Sequence, residues 1–485
     1  MRIPLSISRD YFHDPVWGFY EPPLEVIKVL DTHELQRLSR ICQLSLVDLV
    51  YRSANHTRLE HSIGVANLVG KAMSRFQTEA SAWPRVELFD THKTEFPNWK
   101  TFAQVCAIIH DVGHGPYSHF VESFLQWTDQ VFRTNEEIGE DVIKGRYLKI
   151  DKELAPKATK FLSDVLEEIA NELGFSVDDL AYYVTSEDSF NRKFNGPPKN
   201  EPRLFIRKLI SSPADMDRVD FLNRDSYFVG LKGGVDAHSI IQNLALYETD
   251  LGSLDLVLEE AGIPAVEALL TSRDLMYATV YHHPVERWGL ASILRSAYIL
   301  HKDYSIPAEY ILRQTDETLL SMLQRGDDYT IDIASRIVER RPYNRVFELE
   351  FSYLNLRNLP NEEEVIKLVE ELERDPGKLR EVEEIVESNS ARSEKVDVII
   401  DLPPPMKFLE AGVKVKVAGE LSPIELNRVS DLACYINERK KERRWIMNVF
   451  TNASPGSPSY EEIVSHVKKE LKIPDDAHPT KLIRA

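Results

Sequence analysis

From Leu24 to about Leu300, apolar residues recur at three- and four-residue intervals, the period of helices with one buried face. Asp31-Thr32-His33-Glu34 predicts a helix start with an acidic side chain in its first turn. Ile63, Ala66, Leu68, Val69 and Ala72 form an apolar stripe, and Val105-Cys106-Ala107-Ile108-Ile109 predicts a core helix. The pattern continues through Leu319, Leu320, Met322 and Leu323 and breaks at Arg340-Arg341-Pro342. Beyond that point the period changes to two. Val346 to Phe351, Val396 to Ile400 and Val413 to Val417 read as strands. Between the first two lies a charged amphipathic helix, Asn361 to about Glu387, with a solvated face. Pro403-Pro404-Pro405 forces an extended turn, and Ala453 to Pro458 is a loop before a final helix. The pattern predicts a mainly α fold, with a helical domain over 1–343 and a smaller α+β domain over 344–485. A chain of 485 residues exceeds one ordinary core, which agrees with that division.

The chemistry concentrates where the core helix ends. His110-Asp111-Val112-Gly113-His114-Gly115-Pro116-Tyr117-Ser118-His119 places three histidines and a carboxylate around a Gly-x-Gly-Pro turn. Imidazole nitrogen and carboxylate oxygen both suit one transition-metal ion. Gly113, Gly115 and Pro116 stop the helix, and the turn throws His114 and His119 toward whatever that ion holds. Histidine titrates near neutrality, so the extra pair suggests acid–base work. His13-Asp14 serves as an internal control: Pro15 follows, no histidines cluster nearby, and the region reads as a structural turn.

Two other segments supply ligand candidates. His56-Thr57-Arg58-Leu59-Glu60-His61 opens a helical pattern, and Ala214 to Ser226 sets Asp217, Phe221 and Asp225 on one helix face with Arg218 beside it. Acidic residues among apolar ones are costly to bury without a cation. The three segments, in this order, resemble the HD-domain phosphohydrolases, in which His…His-Asp…Asp binds one metal. The His-Asp-x-Gly-His-Gly-Pro-x-Ser-His form, with Arg-x-Glu-His-Ser-x-Gly-Val before it and Asp-x-x-Asp-x-x-x-Arg-Asp after it, is similar to the deoxynucleoside triphosphate triphosphohydrolases, from about Asp10 to about Leu300. The fold class implied is a helical HD domain with a smaller C-terminal α+β domain.

The resemblance implies roles residue by residue. His61, His110, Asp111 and Asp217 would be ligands of one divalent ion, whether Mn, Fe, Ni, Zn, Co or Mg. His114 and His119 would be catalytic, with Glu122 orienting His119. Arg58, Arg218 and Arg273 would hold the triphosphate, Asp225 the deoxyribose 3′-hydroxyl, and Tyr281, Gln43 and Leu44 the sugar and base. Hydrolysis at the α-phosphorus would release deoxynucleoside and triphosphate. The chain departs from the family pattern at Asn135, Glu122, Phe221 and Tyr277. It keeps Asp31 of a guanine-activator site but has Ser39 in place of the arginine, so GTP is not expected to be an obligatory activator. Family members assemble as homo-oligomers, so a dimer or tetramer is expected. The alternatives are another nucleotide substrate (a monophosphate or cyclic nucleotide) or a nucleotide-sensing regulator with little turnover. Arg58 and Glu60 also fit a surface pair, Arg273 a core stripe, and His282-His283-Pro284 a helix cap. His33, His92, His238 and His301 read as satisfied core residues.

Composition narrows the partners. Lys plus Arg is 59 against 78 for Asp plus Glu, a net charge of −19. That sign argues against nucleic acid as a partner and leaves a deoxynucleotide to be gripped by local arginines. Cys42, Cys106 and Cys434 form no metal or redox motif, which fits a reducing cytoplasm, and no apolar stretch is long enough to span a bilayer.

Overall fold

The computed structural model describes residues 11–79, 92, 94–129, 133–146, 159–185, 202–232, 235–249, 253–351, 362–391, 395–402, 413–439 and 445–473. Its architecture is mainly helical with a smaller α+β part. The centre is a sheaf of helices: Arg58–Glu79 and Phe96–Ile109 lie against each other, and Met216–Val229 crosses the first of them. Phe96–Ile109 buries ten side chains, from Phe96 to Ile109, so it is apolar nearly all round and runs through the interior. Gly64 permits the crossing, because a Cβ there would collide with Asp220 and Arg224 of the facing helix.

Ile263–Met276 passes into a π-helical turn, Tyr277–Tyr281, before Pro284 opens the long helix Pro284–Asp303. Such turns widen a helix and re-aim its side chains. His283 caps the new helix by accepting from the Val285 N–H, as the cap reading expects. The expected start near Asp31 is also present, with Thr32 at the cap of His33–Leu38. No side chain caps this helix: the Thr32 hydroxyl donates to the Val29 carbonyl and Glu34 accepts from Leu162. His33 and His238 are exposed rather than core residues, because each lies on the outer side of a short helix.

A hairpin of Leu244–Glu248 and Leu254–Glu259 interrupts the helical region. Lys414–Lys416 adds to it in parallel, and Ile424–Glu425 pairs antiparallel beyond. A second sheet has the order Asn344–Phe351, Trp445–Thr451, Val398–Asp401, all antiparallel. It carries its own core with the helices Pro376–Ser390 and Pro458–Glu470, around Phe347, Val386, Val398, Val449 and Ile463. Val415, Leu426, Ala433 and Ile436 instead pack into the large helical core. The long amphipathic helix expected from Asn361 is two, Glu362–Arg374 and Pro376–Ser390. Asp375 caps the second through the Gly377 and Lys378 N–H groups, and Pro376 at its first position forces the restart. The proline run at 403–405 lies outside the described residues. No helix among those described is long and apolar enough to cross a membrane.

Candidate metal centre

His110 sits at the C-terminal end of its helix with αR backbone. Its Nδ1 lies 2.8 Å from the Ala107 carbonyl, which can only accept, so Nδ1 carries the proton. That leaves Nε2 pointing inward, buried and without a hydrogen-bond partner among the described residues. His61, in the first turn of Arg58–Glu79, is oriented the same way: its Nδ1 is 2.8 Å from Asp220 Oδ2, and its Nε2 is 3.0 Å from Asp217 Oδ1. His110 Nε2 lies 3.7 Å from that same oxygen. His61, His110 and Asp217 thus bring three ligand-type atoms within 4.8 Å of one another.

Asp111 lies beside this trio. Its Oδ2 accepts from Arg58 Nη1 at 2.6 Å and is 3.7 Å from His61 Nε2. Its Oδ1 is 3.4 Å from His110 Nε2 and 3.3 Å from His114 Nε2.

The electrostatics are those of buried carboxylates and imidazoles that favour each other's charged forms. Burial alone would lower the His61 imidazolium, yet Asp217 and Asp220 push it up to about 10. His110 is likewise raised against its burial, by Asp111 and Asp217. Burial opposes ionisation of Asp217, but His110 and His61 hold it far below the usual carboxylate range. Arg58 and the histidines do the same for the buried Asp111. Two inward imidazole nitrogens, one of them orphaned, with carboxylate oxygens at 3.0–3.7 Å form a donor set that fits a divalent ion.

A second layer fixes these ligands. Asp220 accepts from Arg224 Nε and Nη2, both at 2.9 Å, and from Trp17 Nε1. Arg224 Nη2 also reaches Asp14 Oδ2 at 2.7 Å. Carboxylate support of a ligating imidazole is a common device for setting its tautomer. Local sequence pattern alone does not assign Asp220, Arg224, Trp17 and Asp14 to this role. Asp220 and Arg224 had a legible signal, an i, i+4 acid–base pair beside Asp217.

The loop after Asp111 is bolted at several points. A Cβ at Gly113 would strike the Asn135 carbonyl, so glycine lets Asn135–Ile143 approach. Tyr117 and Ser118 adopt φ of +52° and +57°, a costly pair of values for side-chain-bearing residues. Asp316 secures them, accepting from Tyr117 N at 2.6 Å and from Cys42 N at 2.8 Å. Ser118 Oγ donates to the Cys42 carbonyl at 2.7 Å and accepts from Arg58 Nε at 2.8 Å. His119 follows at the entry of Phe120–Asp129, its ring centroid 5.7 Å from that of His114. Glu122 accepts from Asn135 Nδ2 at 3.2 Å.

His61, His110, Asp111, His114, His119 and Asp217 line one cavity of about 1350 Å³. Gln43, Leu44, Arg58, Arg218, Asp225, Arg273 and Tyr281 share its wall. Tyr281 donates to Asp225 Oδ2 at 2.7 Å, and His56 Nε2 lies 2.8 Å from Oδ1. Arg273 lies over the Tyr277 ring, 4.8 Å from its centroid. Arg218 is turned onto Asp215 and the Ser212 carbonyl.

A family model described as the HD associated region matches residues 235–481, slightly more than half of the chain. The chain belongs to this HD-domain family. The deoxynucleoside triphosphate triphosphohydrolase SAMHD1 homolog of Dictyostelium discoideum is 23% identical over 376 residues, 77% of this chain and 62% of that protein. An uncharacterized protein of Methanocaldococcus jannaschii is 28% identical over 353 residues, 73% of this chain and 61% of its own length. The HD-domain chain thus spans about three-fifths of these relatives. The crystal structure of a hypothetical protein from Aquifex aeolicus shares the fold, with a TM-score of 0.57 at 20% identity over 95% of this chain and 99% of that one.

Proposed function

We propose that this HD-domain protein hydrolyses deoxynucleoside triphosphates at the α-phosphorus, releasing deoxynucleoside and intact triphosphate. The observation that carries the reading is the His61–His110–Asp217 cluster, which opens on the same cavity as Arg218, Arg273 and the Asp225–Tyr281 pair. With Asp111 beside them, these three residues would hold one divalent ion. Such an ion supplies Lewis acidity toward a phosphate oxygen and lowers the pKa of a coordinated water.

The chain's own groups do the rest. Arg58 holds Asp111 and Ser118 in place from a buried position. Arg273, and Arg218 on leaving Asp215, would offer guanidinium forks to the phosphate chain. His119 gives a proton to the departing 5′-oxygen, since an alkoxide is a poor leaving group near neutrality, and Glu122 orients it. His114 donates to a non-bridging oxygen. Asp225 and Tyr281 meet the deoxyribose 3′-hydroxyl, with Gln43 and Leu44 along sugar and base.

The deciding assay incubates the protein with each dNTP and several divalent metals and resolves the products by chromatography. Equal amounts of deoxynucleoside and triphosphate support the reading. Diphosphate with monophosphate, or stepwise phosphate release, sinks it. One observation favours a second reading, a monophosphate or cyclic nucleotide: Arg218 and Arg58 are both turned onto protein partners, and Phe221 offers no hydroxyl. The same assay with those nucleotides separates the two.

Turnover without GTP is expected, because the Ser39 hydroxyl donates to the Gln36 carbonyl and carries no charge. Strict GTP dependence that disappears in Asp31→Ala would reverse this. A cytoplasmic homo-oligomer completes the proposal, and light scattering in solution reads its size.

A further inference from the structure

The metal cluster accounts for one end of the cavity. On another part of its wall, polar atoms are buried and left without partners among the described residues: Gln43 Oε1, Ser45 Oγ, His282 Nδ1 and Glu286 Oε2. Ser45 and Glu286 are 7% and 5% exposed, so water does not compensate them freely. Unpaired buried groups of this kind are costly, and several around one cavity call for a ligand that pairs them.

The four belong to two segments that face each other. The helix Pro284–Asp303 packs on the turn at Val47–Leu49, and a Cβ at Gly289 would strike Leu46. Tyr51 OH donates to the Thr279 carbonyl at 3.1 Å. His282 follows Tyr281 directly, and Tyr281 is bonded to Asp225, so this wall continues from the sugar end of the proposed site. Glu286 stands one turn further on. The adjacent Arg287 is hydrogen-bonded to Asp401 at 3.0 and 2.6 Å. Burial raises the Glu286 carboxyl to about 8, with Arg287 opposing and Asp401 adding to the rise.

We infer that Glu286, with His282, Gln43 and Ser45, forms a subsite for the exocyclic amino group of a nucleobase. The orphaned Gln43 oxygen can only accept, and the Glu286 carboxyl, neutral or ionised, keeps an accepting oxygen, so an amino group brings the N–H donors they lack. A site built around such a bond rejects the analogue that lacks the donor, because its own buried groups then stay unpaired. The inference rests on the deoxynucleotide reading above and adds base selection to it.

The test compares dATP with its analogue lacking only the 6-amino group, deoxynebularine triphosphate, in wild type, Glu286→Leu and Glu286→Gln. Wild type should favour dATP in kcat/KM by roughly tenfold or more. In Glu286→Leu the ratio should fall toward one, and Glu286→Gln, which keeps an acceptor, should restore much of it. Bound metal confirms that each variant is folded. Calorimetry with deoxyadenosine and deoxynebularine asks the same question without turnover. If no dNTP is hydrolysed yet deoxyadenosine still binds more tightly, the subsite stands and the hydrolase reading falls. If dNTPs are hydrolysed with a wild-type ratio near one, or if Glu286→Leu keeps the preference, the subsite falls and the hydrolase reading stands. Absence of both turnover and nucleoside binding overturns both.

Discussion

Two His-Asp pairs stand about a hundred residues apart in this chain, and the structure uses them differently. In His110-Asp111 the backbone takes one ring nitrogen and leaves the other inward and unpaired. In His13-Asp14 the histidine is exposed, and the aspartate is spent on structure. Asp14 Oδ1 accepts from Val16 N at 2.7 Å and Trp17 N at 2.9 Å, closing the turn between Phe12–Asp14 and Gly18–Tyr20. Its Oδ2 takes Arg224. The dipeptide itself therefore carries no chemistry; what matters is which atoms remain after local hydrogen bonds are satisfied. The second pair is still not remote. Through Arg224 and Asp220 it stands three hydrogen bonds from His61, so the structural turn braces the candidate metal centre.

The largest expected effect tests the first pair. His110→Ala or Asp217→Ala should bring bound metal to background, measured by elemental analysis after dialysis, since each removes a ligand. Full metal content in either variant would show that the centre lies elsewhere. His119→Ala comes next. It should retain metal while turnover falls roughly 10²–10⁴-fold, the usual contribution of a positioned general acid. A near-normal rate would remove His119 from the mechanism.

This asymmetry explains how much was legible in the sequence. Ligand candidates lie in short local patterns, adjacent in His110-Asp111 and in one helix first turn at Asp217, so local spacing exposes them. The helices that carry them also read correctly, because Ile63 to Ala72 and Val105 to Ile109 keep a helical or fully apolar pattern. The bracing was not legible. Asp14 meets Arg224 across 210 positions and Asp316 meets Tyr117 across 199, and no local period records such pairings. The hairpin Leu244–Glu248 and Leu254–Glu259 is not legible for a related reason: short apolar runs do not distinguish strand from buried helix, and one partner strand, Lys414–Lys416, comes from far along the chain.

A middle-sized effect sharpens the link between the two pairs. Asp220→Asn leaves an acceptor for His61 but removes the charge that holds both His61 and Arg224. Metal affinity should fall about 10- to 100-fold, as for other supporting carboxylates. Asp14→Asn, one step further out, should weaken metal binding less and lower the melting temperature of the metal-free protein. Equal losses of affinity in the two variants would mean that Arg224, rather than Asp220, sets the ligand.

The smallest effect decides whether the comparison is sound. His13 is exposed, and its contribution to the hairpin is its backbone, paired with Phe19. Alanine at an exposed strand position preserves that pairing, and such surface changes usually alter stability by less than about 0.5 kcal/mol. His13→Ala should therefore match wild type in metal content, melting temperature and kcat/KM. Asp14→Asn, at the next residue, should not, because Asp14 is buried against Arg224. Asparagine keeps an Oδ1 that accepts from Val16 N and Trp17 N, so Asp14→Asn retains the turn and removes only the charge that faces Arg224. If His13→Ala loses metal as Asp14→Asn does, the hairpin acts through its overall folding and the Asp14–Arg224–Asp220 path loses its special role. If only Asp14→Asn does, the difference between neighbouring side chains maps the path directly.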